Sequence, residues 1–204
     1  MSRVLVCLMV VALLLAGCGG GAARVEPSGS FSERLSAPFP AGQTRPLRGR
    51  DFTTAVPAGW NARVDRGDGI RSHFLNSGSG HANDYGLAGA GQVGLTIANQ
   101  RTEDSSARIA LERIVGTPPG AFGVKRTEPP ADARLAGAEA ATTQYTYTQD
   151  GVTYVQSNVV AVTGDVTIFI EVDAPPAQAD EAARTLATVI RNWRWRTSEG
   201  GVNS

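Results

Sequence analysis

Histidine, cysteine and methionine each occur only twice in this chain, and lysine only once, at Lys125. Each scarcity excludes a class of protein. Two Cys cannot staple a disulfide scaffold, and two Cys with two His at these spacings do not make a zinc finger. Charge of one sign is also missing, since 19 basic and 19 acidic side chains cancel. That balance argues against a nucleic-acid binder working by phosphate neutralisation. Long apolar runs are absent too. The most prominent, Val4 to Leu14, spans 11 residues, short of the roughly 20 that a membrane-crossing helix needs. What is present, 42% apolar and 19% charged residues, fits a folded domain better than a disordered tail.

The apolar run follows Arg3 and ends in Leu15-Ala16-Gly17-Cys18, before Gly19-Gly20-Gly21. A short positive region, an apolar core and small residues at the end form a secretory leader. Its last four residues resemble the lipobox of bacterial prolipoproteins. The resemblance implies that the Cys18 thiol carries diacylglycerol and that the chain is cut before it, with Leu15, Ala16 and Gly17 recognised by the peptidase. Removing residues 1–17 takes away Arg3, Cys7, Met1 and Met9, leaving 18 basic and 19 acidic side chains. With Cys18 lipidated no free thiol remains, which removes thiolate redox and metal chemistry. The Arg bias and the Ala and Gly content point to a high-GC genome of the actinobacterial type.

Residues 18–50 read as lipid anchor and flexible tether, because Gly and Pro recur there without a sustained apolar period. Phe31, Leu35 and Phe39, among its few large apolar residues, are suited to local packing or to a partner. Residues 51–197 read as one domain, and 198–204 as a tail. About 150 residues bury close to 70% of their unfolded surface, enough for one core.

Within the domain, Asp51 to Val56, Ile70 to Leu75 and Gln92 to Ala98 read as strands. Ser105 caps an expected helix over Ala107 to Val115. A short strand over Ala121 to Arg126 is broken by Pro129-Pro130. Ala138 to Thr148, Val152 to Thr163 and Val166 to Asp173 follow as strands, joined at Asp150-Gly151 and Gly164-Asp165 into an antiparallel meander. The last of these is apolar on nearly both faces, which predicts a central place. Ala179 to Trp193 has the clearest helical stripe, with Asp180 and Glu181 near its start and Arg191 near its end. Strands, helix, strands, helix is the order of an α+β domain, an antiparallel sheet packed with helices.

The first strand leading into Pro57-Ala58-Gly59-Trp60, and the hairpin pair followed by a helix ending in Trp193, resemble a known family. It is the PsbP/Mog-like α/β/α sandwich, in its bacterial lipoprotein members of the LpqN and DcrB types. The resemblance covers about Phe52 to Trp195. It implies accessory or docking roles, no established enzymatic activity and no cofactor, and it supplies no metal or catalytic residue at matched positions.

Signs of chemistry are sparse. There is no G-x-S-x-G and no G-x-x-x-x-G-K. Gly89 to Gly94 fits G-x-G-x-x-G but leads into a strand, where the phosphate-binding mechanism requires a helix N-terminus. His81, Asp84 and Tyr85 share a Gly-rich loop and could form a proton-transfer cluster. Trp60, Trp193 and Trp195 are candidate ligand or partner contacts. Arg191, Arg194 and Arg196 make a basic cluster suited to anionic lipid or wall polymer. His73 is expected to be a paired strand histidine.

These features lead first to a lipoprotein on the extracytoplasmic face of the cell membrane. Its diacylglyceryl anchor holds a non-enzymatic docking module for an envelope or membrane protein partner. A carrier of a small apolar ligand or lipid between sheet and helix is the alternative. A hydrolase using His81 and Asp84 is the third reading.

Overall fold

Tight turns with left-handed backbone set the topology. Asp150 and Gly151 have φ of 51° and 76°, the pair of positive values that a two-residue hairpin requires. They join β7 (Ala138–Gln149) to β8 (Val152–Thr163). Ala136 and Gly137, with φ of 47° and 88°, make the same kind of turn between β6 (Phe122–Leu135) and β7. Gly164 turns β8 into β9 (Val166–Ala174). The computed structural model describes residues 38–67, 70–78, 92–114 and 121–196.

The meander extends into a seven-stranded antiparallel sheet. Its order is β3-β4-β5-β9-β8-β7-β6, with β3 at Asn61–Gly67, β4 at Ile70–Asn76 and β5 at Gly94–Arg101. β9 takes the central place, as its apolar character requires. A smaller sheet, β1-β2-β10, is formed by Thr44–Arg48, Phe52–Pro57 and Arg194–Trp195.

Side chains alternate along β9 and assign its two faces. Ile168, Ile170, Val172 and Ala174 point into the larger core, with Leu95 and Ile97 of β5 and Val159 and Ala161 of β8. Helix α2 (Ala179–Arg191) closes that core with Leu186 and Val189, and Phe52, Val56 and Trp193 fill the space beside it. Full burial of each Leu or Val contributes about 1.5–3 kcal/mol. Phe169 lies on the opposite face, against Ala107, Ala110 and Leu111 of helix α1 (Ala107–Ile114). The two helices therefore sandwich the large sheet.

Several sequence expectations are corrected. The stretch read as tether to residue 50 contains β1, which pairs with β2 from Thr44↔Pro57 to Arg48↔Thr53 and buries Leu47. Phe39 is already held on α2, its N–H donating to Thr188 Oγ1 at 2.8 Å and its ring under the Arg184 guanidinium. β3 escaped the sequence reading because nearly all its residues are exposed, so it carries no apolar alternation. β6 runs through Pro129-Pro130 instead of breaking there. It is an edge strand, and a proline lacking N–H is tolerated where no neighbour needs a donor; the register shifts beside them. Ser106, not Ser105, caps α1, its Oγ accepting from Ile109 N–H at 3.2 Å. Val115 lies outside the described residues.

Candidate functional site

The candidate residues chosen from sequence scatter. Leu15, Ala16, Gly17, Cys18, His81, Asp84 and Tyr85 all lie outside the described residues. The tryptophans are structural. Trp193 has no exposed surface and stacks on Phe52, with ring centroids 4.4 Å apart and planes at 13°. Trp195 meets it edge-on at 5.5 Å and donates its Nε1–H to Leu135 O at 3.1 Å. Trp60 is buried in the same core. Trp60 and Trp193 therefore sit in the core and present little surface to a partner.

A polar cluster that sequence reasoning missed lies on the α1 side of the sheet. In β9 the residues after Phe169 on that face are Glu171 and Asp173. Cross-strand partners in register share a face, so Glu171 sits between Asn158 and Thr96. Asp173 sits between Gln156 and Gly94. The Tyr147 hydroxyl donates to Asp173 Oδ1 at 2.7 Å, and its ring stacks on Tyr154 with centroids 5.4 Å apart. Asn158 Nδ2 donates to Gln156 Oε1 at 3.3 Å. Glu171 and Asp173 are 6% and 1% exposed, which is rare for carboxyls and demands compensation.

The compensation is protonation. Burial is the largest cause raising the Glu171 carboxyl well above the usual carboxylate range, followed by the neighbouring Asp173. Burial also raises Asp173, to about 6, while hydrogen bonds from Glu171, Tyr147 and Gln156 hold it down. Two like charges this close do not both ionise, so the pair holds a proton on Glu171 and donates it to Asp173. Burial and then Asp173 push the Tyr147 phenol far up, so it remains a donor. Chemically the cluster can take up and release protons within a hydrogen-bond network. With so little of either carboxyl exposed, it does not present an open acid–base pair to a substrate. Two carboxylates two residues apart in a strand were the available signal, masked by the reading of β9 as apolar on both faces.

His73 of β4 is a second buried titratable group. Its ring is edge-on to Phe52 at 5.7 Å, and it is 2% exposed. Burial lowers it to about 4, with help from Arg71 and Arg66. Neither ring nitrogen has a hydrogen-bond partner among the described residues, so the expected pairing is absent there. Among the described residues no three His, Cys, Asp or Glu side chains group to hold a metal ion.

No family model and no curated protein matches this chain. Solved structures do. The solution structure of cyanobacterial PsbP from Synechocystis sp. PCC 6803 aligns with 84% of this chain and 100% of its own, at 11% identity and a TM-score of 0.53. The fold is PsbP-like. LpqN of Mycobacterium tuberculosis, described as involved in cell envelope biogenesis, aligns over 76% of this chain and 91% of its own, at 13% identity and a TM-score of 0.45. A Bacteroides thetaiotaomicron chain aligns over 76% of this one at 14% identity and a TM-score of 0.47. This chain spans about half of that protein's length, 49%. At such identities the likeness carries the fold, and the PsbP-like sandwich has to be read for function from its own residues.

Proposed function

We propose that this chain is a lipoprotein of the cell envelope, anchored at Cys18 to the extracytoplasmic face of the membrane. There it works as a non-enzymatic docking or accessory module. The observation that carries the reading is Leu15-Ala16-Gly17-Cys18 at the end of an 11-residue apolar run. No described helix is long and apolar enough to cross a membrane. The PsbP-like fold and the enclosure of its carboxyl pair favour a module that binds over one that turns over substrate.

Metabolic labelling with palmitate tests the anchor. The native chain should be labelled and should shift in size when globomycin blocks the lipoprotein peptidase. Cys18→Ala should lose the label. Label retained in Cys18→Ala would sink the proposal. Crosslinking of the native chain in intact cells tests the docking role, with a discrete envelope-protein adduct as the expected result.

A further inference from the structure

The chain as a whole is neutral, yet its arginines are not evenly spread. The two segments 45–51 and 191–196 hold Arg45, Arg48, Arg50, Arg191, Arg194 and Arg196 against the single carboxylate Asp51. They lie far apart in sequence, and only the small sheet brings them together. In register, Arg48 of β1 and Arg194 of β10 both pair with Thr53 of β2. Residues paired in this way project from one face. That face is the one turned away from the core, since Phe52, Thr54 and Val56 are buried while Thr53 and Ala55 are partly exposed; only Pro57, at the strand's end, is buried on the outer side.

Arg196 extends the face. Its N–H donates to Asp51 O at 2.9 Å, and its Nη1 donates to the carbonyls of Gly49 and Arg50, both at 3.0 Å. Arg48, Arg50 and Arg194 are exposed. Asp51 offsets only part of this charge: its Oδ1 lies 3.9 Å from Arg50 Nε and its side chain is 13% exposed, while its Oδ2 accepts from Asn99 Nδ2 at 2.6 Å. The carboxylates of α2, Asp180 and Glu181, belong to its first turn. At 1.5 Å per residue they lie about 16 Å from Arg191 at the other end. Positive charge is thus concentrated at one corner of a neutral molecule.

We propose that this face, centred on Arg48, Arg50 and Arg194 and braced by Arg196, docks onto an anionic lipid bilayer. The inference rests on the anchored reading above, because the anchor decides which polyanion is near. Between Thr53 and Ala55 the face has only short side chains, so it is a flat basic plate suited to a layer of phosphate headgroups. Cys18 lies 21 residues before Phe39 in the sequence, so an anchor there keeps a bilayer at high effective concentration near this face. Guanidinium groups bind phosphate through two parallel hydrogen bonds, which favours Arg over Lys in such a plate.

The test uses the chain from residue 18 onward, which contains every described element, with Cys18→Ser so that no lipid is attached. It is sedimented with phosphatidylcholine vesicles lacking or containing phosphatidylglycerol. Binding should require phosphatidylglycerol and weaken as salt rises. Arg48→Gln with Arg194→Gln should reduce it roughly thirtyfold, at about 1 kcal/mol for each arginine. Lys125→Gln with Arg126→Gln, on the exposed edge strand β6, should leave it unchanged. Circular dichroism confirms that each variant is folded. Equal binding to both vesicles, equal loss in the two double variants, or binding to soluble teichoic acid but not to vesicles would overturn the proposal. The palmitate experiment is independent of this one. Vesicle binding that persists while Cys18 proves unlabelled would remove the anchor and leave the basic plate, and the converse result would do the reverse.

Discussion

Replacing His73 with leucine should change how the stability of this protein depends on pH, and the sign is fixed by burial. The imidazole is 2% exposed between strands, against Phe52 and in register with Val64 and Ile97. Its pKa falls from 6.5 to about 4. Between those values the unfolded chain binds a proton at this residue and the folded chain does not. The neutral ring therefore contributes stability that is complete above pH 6.5 and is lost as pH falls toward 4. At 1.36 kcal/mol for each pH unit, the loss is about 3 kcal/mol.

Asp173 acts in the opposite direction. Its pKa rises from 3.8 to about 6, so the folded chain holds the extra proton. Stability from this group is present below about pH 4 and is lost as pH rises through 6, again by about 3 kcal/mol. Over the shared window, roughly pH 4 to 6, the two contributions offset each other. In His73→Leu the offset disappears. Relative to the native chain, the variant should gain about 3 kcal/mol on going from pH 6.5 to pH 4. At pH 6.5 it should be no less stable, because leucine also removes two ring nitrogens that lack partners among the described residues. Urea unfolding followed by tryptophan fluorescence at both pH values gives the difference directly. Native and variant stabilities that run parallel across this range would refute the reasoning, since His73 would then protonate in the fold as readily as outside it.

The carboxyl pair yields a complementary expectation. In Glu171→Gln, folding no longer takes up the proton that burial places on Glu171, so the variant should be more stable than the native chain at alkaline pH and match it near pH 4. A stability difference independent of pH would exclude the shared proton. Asp173 should stay raised in this variant, because burial is its largest cause; its carbon resonance followed by NMR reports this, and a return to the ordinary carboxylate range would contradict it. Trp193→Ala should cost about 3–5 kcal/mol in urea unfolding, the usual range for a buried aromatic, because it empties the contact with Phe52 and Trp195. A cost below about 1 kcal/mol would mean that the indole is not the centre of that core.

Legibility followed the kind of signal each segment carried. The β7–β8 turn was readable because Asp150-Gly151 has to accept positive φ, and α2 because its apolar stripe repeats at helical spacing. β9 was readable as central because its inward residues and Phe169 are apolar on opposite faces. The Ala136-Gly137 turn was missed although it has the same backbone, since alanine does not advertise a left-handed conformation. β3 was missed because an exposed edge strand has no apolar rhythm, and β6 was cut short because prolines break central strands but not outer ones. The tryptophans near the end of the chain looked like a ligand wall, whereas burial against Phe52 makes Trp193 part of the core.

By itself, the sequence determined the class of the fold, the places where the chain must turn, and the lipobox-like residues at Cys18. All of these depend on neighbours in the chain: dihedral freedom, apolar period and a short linear motif. Only the tertiary structure decided what the isolated polar residues are for. Glu171 and Asp173 become a proton-sharing pair because β5 and β8 flank them in a buried position and the Tyr147 hydroxyl caps Asp173. His73 stays neutral because Phe52, distant in sequence, lies against its ring. Arg48 of β1 and Arg194 of β10 share one face because the strand between them, β2, sets their register. Burial and charge proximity are properties of the packed chain, and both the pKa shifts and the basic plate arise from them.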